Sequence, residues 1–140
     1  MVVKSLEVWT TEVEDRPGAL GEKLDALAKA GANLEFMISQ RGPIDNPAPV
    51  RVFVGPVKGA KRVQAAEAAG FKKAESAFTL RLQGPDKKGL LACMTGALGA
   101  AGINLLGVTA TVAGRQSITY LAVTSSEDAK KATKILKGVK

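Results

Sequence analysis

The chain has 140 residues, a formal net charge of +7, a single cysteine and no histidine. Without histidine it lacks the commonest general base, the usual transition-metal ligand and every Ser-His or Cys-His nucleophilic pair, and a lone Cys93 rules out an internal disulfide. No apolar run approaches the roughly 18 residues of a membrane span, and the N-terminus Met1-Val2-Val3-Lys4-Ser5-Leu6-Glu7 lacks the apolar stretch of a secretory signal, so a cytoplasmic chain with no membrane partner is expected.

Alternation of Leu6, Val8, Thr10 and Glu12 with Glu7, Trp9, Thr11 and Val13 predicts a strand over 5–13. Asp15-Arg16-Pro17-Gly18 follows as a turn. From Ala19 the period becomes helical, with Leu20, Leu24, Leu27 and Ala28 on one stripe, and Gly31 stops the helix. A second strand is expected at 33–40. Arg41 to Pro49 holds three prolines and one glycine and reads as loop. Val50 to Val54 is a third strand, and Lys61 to Ala69 an alanine-rich helix ending at Gly70. Phe71 to Leu82 reads as one extended stretch, joining the last strand of one repeat to the first of the next.

The second half repeats this order. A helix over 90–101 carries Leu90, Leu91, Met94, Leu98 and Ala101 and stops at Gly102. A strand over 103–112, a hairpin at Ala113-Gly114-Arg115-Gln116 and a strand over 117–124 follow. Ser125 with Glu127 and Asp128 caps a last helix. Only Gly138-Val139-Lys140 remains for a closing strand. The fold class is therefore α+β: two ferredoxin-like β-α-β-β-α-β units with antiparallel sheets and helices on one face, the final strand of the second unit short or missing. Domains are expected at 1–75 and 76–140.

Two phrases coincide at an offset of 71 residues: Asp15-Arg16-Pro17-Gly18-Ala19-Leu20 and Asp86-Lys87-Lys88-Gly89-Leu90-Leu91. Each opens a helix that ends in Ala-Gly, one further residue and then Asn-Leu, so Gly31 and Asn33 match Gly102 and Asn104. Such a turn ends a strand, bends on glycine and presents the unpaired amides of a helix start, which favour an anion such as a carboxylate. The Asn amide can both donate and accept. Together they suit a zwitterion such as a free amino acid. The same residues serve equally well as caps and turns, and the spacing alone leaves both readings open.

The repeated phrases resemble the signature of the ACT domain, a small amino-acid-sensing module, and the resemblance covers residues 5–137 as two such domains. It implies sheets joined side by side into eight strands. It also implies an effector at the domain interface, held by Asp15, Arg16, Gly18, Ala19 and Leu20 with Asn104, and by Asp86, Lys87, Gly89, Leu90 and Leu91 with Asn33. Lys88 stands where the first copy has Pro17, so the second loop is expected to be looser. Neither catalytic residues, nor a metal, nor a cofactor are implied. Leu20, Leu91, Phe36 and Met37 are candidate pocket walls.

The expected function is a non-enzymatic regulatory module that binds a free amino acid, acts on a metabolic enzyme or regulator, and forms a homodimer. The alternative is an interaction subunit that assembles through an open sheet edge without an effector. A lesser alternative is nucleic-acid binding, because residues 72–140 hold eleven Lys/Arg against four Asp/Glu while residues 1–71 balance nine against nine. The lysines at 130, 131, 134, 137 and 140 have no interleaved arginine or aromatic residue for base contacts, and the third strands lack an RNA-binding aromatic signature, so no nucleic acid is expected. Gly84-Pro85-Asp86-Lys87-Lys88-Gly89 lacks the Lys-Ser/Thr of a phosphate loop. Cys93 is read as a small buried hydrophobe.

Overall fold

The computed structural model describes residues 1–41, 49–75 and 77–139. The expected proline-rich loop over 42–48 lies outside the described residues, as do Ser76 and Lys140. In chain order the elements are β1 (Val2–Leu6), β2 (Trp9–Val13), α1 (Ala19–Lys29), β3 (Phe36–Gln40), β4 (Val50–Gly55), α2 (Ala60–Ala68), β5 (Lys72–Lys73), β6 (Phe78–Pro85), α3 (Leu90–Ala100), β7 (Gly107–Ala113), β8 (Gln116–Val123) and α4 (Ser126–Lys137). They build two four-stranded antiparallel sheets, ordered β3-β4-β2-β5 and β1-β6-β8-β7.

Residues 7–74 form one compact unit, here the continuous unit. Its strand order follows from a β-α-β-β-α-β chain whose first and third strands lie at the centre. β2 turns Trp9, Thr11 and Val13 inward, and β4 turns in Val52 and Val54. Against them α1 buries Ala19 and Leu27, and α2 buries Ala66. Trp9, 2% exposed, is the largest side chain in this core. Its indole N–H donates to Glu7 at 3.2 Å, so the ring is buried without leaving its polar edge unpaired.

Residues 1–6 and 75–140 form the second compact unit, here the split unit. β6 and β8 are central and pair over eight positions, from Phe78 with Val123 to Pro85 with Gln116. Leu80, Leu82, Leu121 and Val123 face α3 and α4, which contribute Leu90, Met94, Leu98, Ala132 and Leu136 to a common core. Ser125 caps α4 as expected, its hydroxyl accepting from the Asp128 amide at 3.1 Å.

The structure differs from the sequence reading at the N-terminus. The stretch expected as one strand over 5–13 is two strands in two different sheets, broken at Glu7-Val8. β1 pairs antiparallel with β6, Val2 opposite Gln83 through Leu6 opposite Thr79. It thus takes the edge position that a strand after α4 would occupy, and no strand follows α4 among the described residues. The continuous unit is inserted between β1 and the rest of the split unit, so residues 1–6 lie outside the unit that an equal division at 75/76 gives them. The extended stretch over 71–82 is likewise two strands, with a break between Lys73 and Phe78.

Candidate functional site

Both repeated loops adopt the same backbone. Gly18 (φ 83°, ψ −13°) and Gly89 (φ 77°, ψ 6°) sit in the left-handed region immediately before α1 and α3. The loops close alike, with the Ala19 amide donating to Arg16 and the Leu90 amide to Lys87. Neither helix start carries a side-chain cap, so Asp15 and Asp86 are not N-caps. The amides in the first turn beyond them have no intrahelical acceptor by construction. At the other end, Gly31 (φ 83°) and Gly102 (φ 74°) terminate the helices in the same way. The Ala32 amide donates to Leu27 and the Ile103 amide to Leu98, closing matching six-residue loops over the last turns.

The loops differ in charge. Arg16 is held by two carboxylates of its own unit: its Nε lies 3.0 Å from Glu14, and its two terminal nitrogens reach Glu22 at 2.7 and 3.3 Å. The bidentate bond to Glu22, followed by that to Glu14, raises the arginine pKa above its already high ordinary value. Hydrogen bonding to Arg16 lowers the Glu22 carboxyl in turn. Asp15 pairs with Arg41 at 2.8 Å. In the second loop the positions equivalent to Glu14 and Glu22 are Pro85 and Cys93, so the acidic partners are gone and Lys87 and Lys88 stand beside Asp86. The first loop is neutralised; the second is net positive.

Lys87 and Leu90 also line a cavity of about 260 Å³ in the split unit, together with Met1, Pro85 and Val139. Met1 and Val139 come from the two ends of the sequence, and no local pattern marks them as neighbours of the loop. Of the other expected site residues, Ala19 and Leu90 are buried, Leu20 packs half-buried on its core, and Leu91 turns outward at 45% exposure. Leu91 therefore points away from the core that Leu90 enters, and Cys93 is exposed rather than buried. Both follow from the phase of α3, which spends its inward positions on Leu90, Met94 and Leu98.

Asn33 and Asn104 are exposed and lie in the connections before β3 and β7 rather than within those strands. Each follows the C-terminus of an eleven-residue helix whose N-terminus carries the loop. At 1.5 Å per residue that places loop and Asn about 16 Å apart along the axis. One unit therefore does not bring its own Asn to its own loop around a ligand as small as an amino acid.

Residues 78–140 match the family model of the ACT domain. No curated protein matches the chain in sequence. Among solved structures it is similar to protein BT0572 from Bacteroides thetaiotaomicron, with 18% identity, 96% of this chain and 88% of that chain covered, and a TM-score of 0.76. It is also similar to the regulatory subunit of aspartate kinase from Thermus thermophilus, with 15% identity, coverage of 99% and 95%, and a TM-score of 0.67. The corresponding subunit from Thermus flavus gives 16% identity, the same coverage and a TM-score of 0.63. The fold is thus ACT-type and ferredoxin-like. Among the described residues no helix is long and apolar enough to cross a membrane.

Proposed function

We propose that the chain is a non-enzymatic regulatory module made of two ACT-type units, the continuous unit being a diverged second copy, and that it binds a free amino acid at the repeated loops. The observation that carries this reading is the recurrence of one strand–loop–helix geometry, Gly18 with Gly31 and Gly89 with Gly102, at the same place in two equally ordered sheets. Matching the fold of aspartate kinase regulatory subunits supports a role in controlling a metabolic enzyme or regulator rather than in catalysis. The carboxylate would accept from the amides of Gly18 and Leu20, or of Gly89 and Leu91, at the helix starts. The second loop is the stronger candidate, because Lys87 adds positive charge beside a cavity of amino-acid size with apolar walls at Leu90, Met1 and Val139.

Thermal shift and calorimetry against the twenty amino acids test this. A true effector at a hundred times its Kd stabilises the folded state by about 2.7 kcal/mol. Lys87→Ala weakens that response while Arg16→Ala, whose charge is already paired, changes it less. No response to any amino acid would remove the effector reading.

A further inference from the structure

We propose that the split unit binds the phosphate backbone of duplex nucleic acid, without reading its sequence, through cations gathered at one end: Lys87, Lys88, Arg115, Lys134 and Lys137. The unit carries ten Lys/Arg against four Asp/Glu, while residues 7–74 carry ten against nine. Three separate segments bring these cations together. Lys87 and Lys88 lie in the loop before α3. The Asp86 amide donates to the Arg115 carbonyl at 2.9 Å, which sets the β7–β8 hairpin beside that loop. Val139 lines the same cavity as Lys87, which brings in the last turns of α4 with Lys134 and Lys137. All of these cations are exposed, and none is in an ion pair among the described residues. In the continuous unit, by contrast, Arg16, Lys29, Arg41, Arg51 and Lys73 pair with carboxylates at 2.7–3.8 Å. Across residues 84–89, 113–116 and 132–139 Asp86 is the only acid, and Glu127 and Asp128 sit in the first turn of α4, at its other end.

Some of this charge has a local use: Lys134 and Lys137 oppose the negative end of the α4 dipole. That explains neither the loop lysines nor the hairpin arginine. Lysine is depleted at protein–protein interfaces, which disfavours an acidic protein as the occupant. A phosphate backbone takes lysine as a point charge and releases condensed counterions on contact, so its binding needs no shaped pocket. The expectation of no nucleic acid rests on missing groups for base contacts, and backbone contact does not require them. Duplex is favoured over single strands because single strands are held by stacking their bases on aromatic rings. From Thr79 to Val139 the only aromatic residue is Tyr120, half-buried beside Arg81.

The experiment needs no amino acid, and its variants leave Lys87 in place, so it stands apart from the effector reading. Fluorescence anisotropy of the full chain with a labelled DNA duplex of about 20 base pairs should give a Kd on the order of micromolar in 50 mM salt. Between 50 and 200 mM salt the affinity should fall about a hundredfold, the slope expected for roughly four neutralised phosphates. Lys134→Ala with Lys137→Ala should weaken binding at least about tenfold and reduce the salt slope by about two, with an unchanged circular dichroism spectrum. Lys134→Arg with Lys137→Arg should keep it. Lys58→Ala with Lys61→Ala removes as much charge from exposed positions of the continuous unit and should leave binding within about twofold. No binding at 50 mM salt overturns the proposal, as does a loss from the Lys58 and Lys61 pair equal to that from the α4 pair. So does tighter binding to a polyglutamate peptide, to phosphatidylserine vesicles or to a single strand of the same length.

Discussion

At the scale of single residues, the two loop glycines are fixed by backbone angle rather than by crowding. A Cβ on Gly18 or Gly89 would meet nothing within 4 Å, but φ is +83° and +77°. Gly89→Ala should therefore cost about 1–2 kcal/mol in urea unfolding, while Gly89→Asn, which tolerates the left-handed region, should cost less. Thr119 presents the opposite case. It is 1% exposed, and its hydroxyl finds no hydrogen-bond partner among the described residues. Thr119→Val keeps the shape and removes the desolvated hydroxyl, so it should raise stability by about 1 kcal/mol. The Arg16–Glu22 pair predicts a pH dependence. A carboxyl whose folded pKa is depressed stabilises the fold above its unfolded value and loses that contribution as pH falls through the lower, folded one. Glu22→Gln should flatten the stability profile below the ordinary carboxylate range. Because both groups are exposed, added salt should shrink the difference.

At the scale of elements, legibility tracked how local each signal is. α1, α3 and α4 were readable because their apolar stripes, glycine stops and the Ser125 cap are set by residues three or four apart. The Asn positions were misplaced by a few residues, because the turn after Gly31 and Gly102 delays β3 and β7. The division between β1 and β2 was not readable at all. Alternation runs through Leu6 to Trp9 without a break, and nothing local says that Val3 packs on one core while Trp9 packs on the other. The edge that a short or missing final strand would leave open is filled by β1, which pairs with β6. Removing residues 1–6 should uncover β6, take Met1 and Val3 from the core and lower the stability of the split unit by roughly 2–4 kcal/mol. Hydrogen exchange should then accelerate at residues 79–83 and leave β2 and β4 protected.

At the scale of the whole molecule, an insertion between β1 and β6 makes the two units unequal in how they depend on the chain. Residues 7–74 carry all four strands of their sheet, whereas residues 75–140 lack one of theirs. Cut chains should show this: 7–74 folds alone with the modest stability of a small core, and 75–140 melts lower until a peptide of residues 1–6 is supplied. The sequence by itself determined the α+β class, the four helices, the two equivalent loops and their unequal charge, since each rests on local periodicity, glycine conformation or composition. Only the tertiary structure decided that the first strand closes the second sheet, that Met1 and Val139 meet Lys87 at one cavity, and that Leu91 and Cys93 face outward. These depend on pairing between residues far apart in the chain, where many partners fit the same alternation and only the packed core selects one.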